Sequence, residues 1–170
     1  MIREWSGLTS AATVSRDFWL WTVDSGLYHG VVSRKHKRIA ELVEPHDGHK
    51  LNKHYLGYFH CFNCQLFYEA HEVLEHIWLK DKQGPNGAFY KGLIQLAGAF
   101  VHLQKNRPQP AAALFKLALA NFDKYSGVHE YLNMDATCQL ARDWLSGLER
   151  GQFAADGLTE RNAPRLNLMA

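Results

Sequence analysis

The chain has 170 residues, of which 46% are hydrophobic and 21% charged, with a formal net charge of +2 and ten histidines. That length allows one compact core, burying roughly 70% of the unfolded surface, and leaves no room for two ordinary domains. The composition excludes a disordered chain, and so small a charge gives no reason to expect nucleic acid or an anionic membrane as partner.

Three cysteines, Cys61, Cys64 and Cys138, are too few and odd in number for a disulfide framework, which points to a reducing compartment. Arg3, Glu4, Arg16 and Asp17 interrupt any apolar signal core. The longest apolar stretch, Gly92 to Leu103, contains Gln95 and His102 and is too short to span a bilayer. The expected location is the cytoplasm.

Residues 1–50 read as an N-terminal arm with one short helix. Phe18, Trp19, Leu20 and Trp21 are adjacent rather than periodic, as expected of an irregular arm packing aromatics onto a bundle. Residues 33–43 form the short helix, stopped by Pro45, because proline disfavours helical geometry in the residue before it. The basic run Arg34-Lys35-His36-Lys37-Arg38 reads as its solvated face, with a phosphate site as the alternative. A polar loop follows at His46 to His49.

Residues 51–150 carry the bundle. Leu51, Tyr55, Phe59 and Phe62 fall on one helical face, followed by Leu66, Ala70, Val73 and Ile77. A continuous helix would aim Asn63 into that apolar face, at a cost unless its amide is satisfied, so a break is expected between Asn63 and Gln65. Lys82 to Gly87 is a turn. Phe89 to Gln104 is apolar on nearly every side and is the expected central helix, with Gly92, Ala97, Gly98 and Ala99 allowing close approach. Two prolines mark a turn at Asn106 to Pro110, and helices follow at Ala111 to Tyr125 and Asp135 to Leu148, with Asp135 as the expected N-cap. Residues 151–170 read as a flexible polar tail. The fold class is therefore all-α, a compact bundle of five to six helices with antiparallel neighbours.

Glu69-Ala70-His71-Glu72-Val73-Leu74-Glu75-His76 gathers five ionisable side chains in eight residues. On a helix centred on Ala70, His71 and Glu75 share one flank, beside Trp78, while Glu69, Glu72 and His76 share the other. Such spacing can hold a metal ion or tune proton transfer. It matches neither His-Glu-x-x-His, nor His-x-x-Glu-His, nor the Glu-x-x-His of di-iron bundles, so no metal is assigned; a divalent ion stays an alternative. On the central helix Lys91, Gln95 and His102 share one side, and the flank of His71 and Glu75 is their expected partner. These groups either satisfy one another as a register-fixing lock or form a ligand or catalytic site. Cys61-Phe62-Asn63-Cys64 lacks a second pair for zinc and a βαβ context for redox chemistry, so both cysteines read as small packing residues. His46, His49 and His54 read as surface residues. Neither a glycine-rich phosphate loop nor a nucleophile elbow is present.

Phe62-Asn63, Tyr68 to Glu75, Trp78, and Phe89-Tyr90-Lys91-Gly92-Leu93-Ile94-Gln95-Leu96-Ala97 with His102 and Asn106 resemble the family catalogued as a domain of unknown function, number 309, over about Tyr58 to Tyr125. The resemblance implies a compact all-α bundle and brings no established activity. The family places a glycine two residues after Phe-Asn, where this chain has Gln65; its Gln-Gly before Leu-Ile-Gln is Lys91-Gly92 here.

Two functions are expected as alternatives. The first is a binding or scaffold module whose polar motif joins two helices, with Glu69, Trp78, Lys91 and Gln95 as candidate ligand-binding residues. The second is a small hydrolase-like or metal-dependent enzyme, with Glu72 or Glu75 as acid/base beside His71 and His102. A homo-oligomer is compatible with either.

Overall fold

The computed structural model describes residues 30–151 and 158–169. The chain divides into two units between His36 and Lys37. Nearly all of the first lies outside the described residues, and with it the expected aromatic packing of Phe18 to Trp21. Six α-helices and one small hairpin are described: α1 (Gly30–Val43), α2 (Lys53–Asn63), α3 (Phe67–Trp78), α4 (Gly87–Gln104), α5 (Pro108–Phe122), the strands β1 (Val128–His129) and β2 (Leu132–Asn133), and α6 (Met134–Glu149). None of these helices is long and apolar enough to cross a membrane.

Local chemistry sets the boundaries. Helix α1 buries Ile39 and Val43, one turn apart, and leaves Lys37 and Arg38 in solvent; it passes into a 3-10 turn, Glu44–His46, at Pro45. Asn52 caps α2 by accepting a hydrogen bond from the His54 amide at 2.9 Å. The expected break is present between Asn63 and Phe67, and its geometry is specific. The Leu66 amide donates to the Cys61 carbonyl at 2.9 Å and the Gln65 amide to that of Phe62 at 3.0 Å, the paired bonds of a Schellman motif. Gln65 takes the left-handed position, with φ 61°. The end of α4 repeats the motif: Arg107 donates to His102 and Asn106 to Leu103, each at 2.9 Å, with Asn106 at φ 53°. Proline then opens α5, where its missing N–H costs no helical bond.

From α2 to α6, consecutive helices pack on one another, and α4 is embedded most deeply, against α3 and α5. Phe89, Leu93, Leu96, Ala97, Ala99 and Phe100 are fully buried along it. Gly92 lets the Phe122 ring of α5 lie directly on its backbone.

One expectation needs correction, and two further features lie outside the helical pattern. The N-cap of α6 is Asn133, whose side chain accepts from the Ala136 amide at 3.0 Å. Asp135 instead sits in the first turn, where a carboxylate favours the helix dipole. The hairpin was not expected at all: Glu130 and Tyr131 turn it with φ 48° and 62°, the left-handed pair that Asn-Gly usually supplies. Within the expected tail, residues 158–169 include a segment that lies against the bundle. Pro164 and Leu166 are buried, and the Asn63 carboxamide donates to the Leu166 carbonyl and accepts from its amide, both at 2.8 Å. Leu168 then bridges Leu132 in antiparallel fashion. The break at Asn63 frees the carboxamide to serve as an end-on partner for extended backbone, which composition alone does not reveal.

Candidate functional site

Helix α3 carries the ionisable cluster. Residues Ala70 to Leu74 are buried without interruption, so its sequestered arc is wider than the one centred on Ala70. His71 is 1% and Glu72 8% exposed; the two expected flanks are both drawn inward at this level. Tyr68, one turn before Glu72, hydrogen-bonds its carboxylate, and burial together with that bond pushes the phenol pKa well up. Glu69 is engaged by the Arg38 guanidinium from α1. Burial and the Glu69 charge push the neighbouring Cys61 thiol up to about 12, so Cys61 stays a protonated packing residue. Glu75 and His76 are half-buried, and Trp78 is buried with the Lys82 ammonium 4.9 Å from its ring centroid.

Of the residues expected to answer this cluster from α4, Gln95 bonds elsewhere and Lys91 faces solvent. Gln95 is buried and accepts a hydrogen bond from Asn121 on α5 at 2.7 Å; its partner therefore lies on α5, not on the His71 and Glu75 flank of α3. Lys91 is exposed. His102 stands at the C-terminal end of α4, half-buried, and burial followed by the Arg107 and Lys105 charges lowers its pKa. A shared helical face puts Lys91, Gln95 and His102 in one row, but the row spans about three turns, and different neighbours meet it at different heights. Among the described residues, no three His, Cys, Asp or Glu side chains are grouped so as to hold a metal ion.

Two of the histidines expected at the surface, His54 and His46, make ring contacts within the fold. His54 of α2 stacks on His76 of α3, with ring centroids 4.4 Å apart and planes 5° from parallel. Burial, then His76, Lys80 and Lys53, lowers the His54 pKa to about 4 from 6.5. The folded form thus holds this ring neutral where the unfolded chain would bind a proton. Its contribution to stability is fully present above pH 6.5 and is lost as pH falls from 6.5 toward 4. Urea unfolding across pH 7.5 to 4 is expected to show that decline in the wild type and a shallower one in His54→Phe; equal slopes would assign the decline to other groups. His46, tilted on His60 at 5.6 Å, is lowered too, by burial and by His60 and His49.

A second polar network gave no warning in the sequence. The Asn86 carboxamide donates to the Glu130 carboxylate at 2.8 Å and meets His129 Nε2 at 2.8 Å. Because its amide end is committed to Glu130, its oxygen faces the imidazole, which fixes the proton on Nε2. Tyr55 donates to the Glu130 carbonyl at 2.8 Å, and the His129 ring packs on Phe89 and Tyr125 at 4.7 and 4.4 Å. The left-handed pair at the hairpin tip brings these groups together, and neither Glu130 nor Tyr131 advertises that conformation.

Residues 55–114, from α2 into α5, match the family described as a domain of unknown function (DUF309). An uncharacterized protein of Aquifex aeolicus (strain VF5) is 32% identical over 74 residues, 41% of this chain. The chain covers 22% of that relative's length. No solved structure matches.

Proposed function

We propose that this chain, built around the segment shared with that family, is a helical-bundle binding or scaffold module whose polar core residues fix helix register. One observation carries the reading: three of the polar residues singled out along α3 and α4 have bonds that run in different directions. Gln95 bonds to Asn121 of α5, Glu69 to Arg38 of α1, and Glu72 to Tyr68 of its own helix. A catalytic set converges on one reacting atom; a set of locks does not need to. The free state of Cys61, Cys64 and Cys138 fits a reducing, cytoplasmic setting.

The lock reading is tested at its most buried pair. Gln95→Leu is expected to cost about 1–3 kcal/mol, because it removes the acceptor of one Asn121 N–H and leaves that amide only the Leu117 carbonyl at 3.1 Å. The double variant with Asn121→Leu should recover part of the loss, with a coupling of about 1 kcal/mol in a denaturation cycle. Additive losses would refute the lock.

The burial of His71 beside Glu72 favours a second reading, an enzyme using Glu72 or Glu75 as acid/base with His71. Turnover of an ester or phosphoester panel that is lost in Glu72→Gln, with folding unchanged, would favour it over the module.

A further inference from the structure

The docked tail lies in a slot with the properties of a peptide-binding site. Asn63 holds both the N–H and the C=O of Leu166, at 2.8 Å each, the pair of bonds that an adjacent strand would make. Three residues on, the Met169 amide donates to the Tyr131 carbonyl at 2.7 Å, while Leu168 bridges Leu132 at the hairpin edge. Side chains alternate along this stretch: Pro164 and Leu166 are buried, and Arg165 and Asn167 are exposed. Period two with backbone bonds at both ends is the signature of an added strand, in which main-chain bonds give affinity and alternate pockets give specificity.

The dimensions agree. Tyr55, which holds the hairpin through Glu130, and Asn63 lie eight residues apart on α2, about 12 Å of helical rise. Leu166 to Met169 spans about 10 Å when extended. The tail thus runs alongside α2 and against its direction, from the Schellman turn at Gln65 to the hairpin. Val128, Tyr131 and Met169 are 57%, 52% and 48% exposed, so apolar surface continues past the end of the tail. Asn63 belongs to the family-matched segment, whereas the hairpin and Pro164 to Leu168 both lie outside it.

The geometry points to a docking groove, between the C-terminal end of α2 and the hairpin, for an extended partner peptide of Pro-x-Leu-x-Leu chemistry, with the chain's own tail as its resident occupant. The tail acts as an intramolecular competitor: a partner segment enters only by displacing it. This deepens the binding-module reading and rests on it, but the Gln95 and Asn121 cycle tests register locking alone, so either idea can fail without the other.

The test uses the full chain and a fluorescein-labelled peptide, Asn-Ala-Pro-Arg-Leu-Asn-Leu-Met-Ala, followed by polarisation. In the full-length Leu166→Asp variant the tail is released, and the peptide should bind saturably. The wild type should bind at least about tenfold more weakly, because a tethered tail competes at an effective concentration near the millimolar range. A peptide N-methylated at its first leucine loses the donor to Asn63 and should bind at least about tenfold more weakly than the parent. A folded Leu166→Asp variant that ignores the peptide would overturn the proposal, as would equal binding of the methylated peptide. Were that variant unfolded, the wild-type chain at millimolar peptide decides: loss of protection at the Met169 amide in hydrogen exchange supports the groove, and unchanged protection refutes it. Tail exchange into a wild-type dimer would overturn the partner peptide in favour of a second copy.

Discussion

Phe100→Ala is expected to destabilise the protein by about 3–5 kcal/mol, the range for emptying a buried aromatic site. Phe100 on α4 is fully buried and meets one aromatic ring from each of four other helices. Its centroid lies 5.5 Å from Phe62 of α2, 5.1 Å from Phe67 of α3, 5.2 Å from Phe115 of α5 and 5.1 Å from Trp144 of α6. Three of these pairs are edge-to-face and the Phe67 pair is stacked, geometries that each contribute about 0.5–1.5 kcal/mol beyond area burial. Removing the ring takes one wall from four neighbours at once, and rigid helices cannot all close the gap. Since a domain of this kind has about 5–15 kcal/mol in total, the variant should be marginal at 37 °C. Guanidinium unfolding of Phe100→Ala and Phe100→Leu gives the check; a loss below about 2 kcal/mol for alanine would mean that the neighbours do collapse and that Phe100 is no hub.

Gly92→Ala tests the opposite fault, too much side chain. A Cβ at Gly92 would lie 2.7 Å from Cδ1 of Phe122 and closer still to its Cε1, and that ring is fully buried. Alanine gains about 1 kcal/mol of helix propensity over glycine, but the clash displaces a packed ring, at a cost of about 1–3 kcal/mol or more. A net loss is expected, with α5 pushed from α4. Gly98 is the control: its added Cβ would meet Leu114 Cδ1 at 3.2 Å, the flexible end of a side chain, so Gly98→Ala should be near neutral. Thermal melts of the two variants side by side separate the cases; equal Tm values would show that the Phe122 ring yields freely.

The polar residues divide in a related way. Glu69, His71, Glu72, Glu75, Gln95 and His102 stand out in the sequence because they interrupt helical faces. Their chemical types made them candidates; their directions were open. The seam expected between α3 and α4 assumed that Gln95 looks toward His71, yet it looks toward Asn121, 26 positions away on the next helix. Asn121, half-buried on an amphipathic helix, is indistinguishable in the sequence from any boundary residue. The turn at Glu130 and Tyr131 escaped notice for another reason: its left-handed geometry is imposed by Tyr55 and Asn86 rather than by the turn's own residues.

The sequence by itself determined what depends on near neighbours. The helices from α2 to α6 follow from apolar spacing that repeats within one turn, and their ends from the Lys82 to Gly87 turn, Pro108 and the Asn63 to Gln65 break, as the end of α1 follows from Pro45. These are all effects within a few residues, where backbone sterics and local burial decide the outcome. Only the tertiary structure decided which polar group meets which, that His71 and Glu72 are both drawn inside, and that a polar tail docks. The Asn63 to Leu166 pair lies 103 positions apart in sequence, and no local preference in either residue selects the other. Such contacts form because the packed helices leave one carboxamide at the end of α2 with a backbone of matching geometry in reach, and burying it without that partner would be costly.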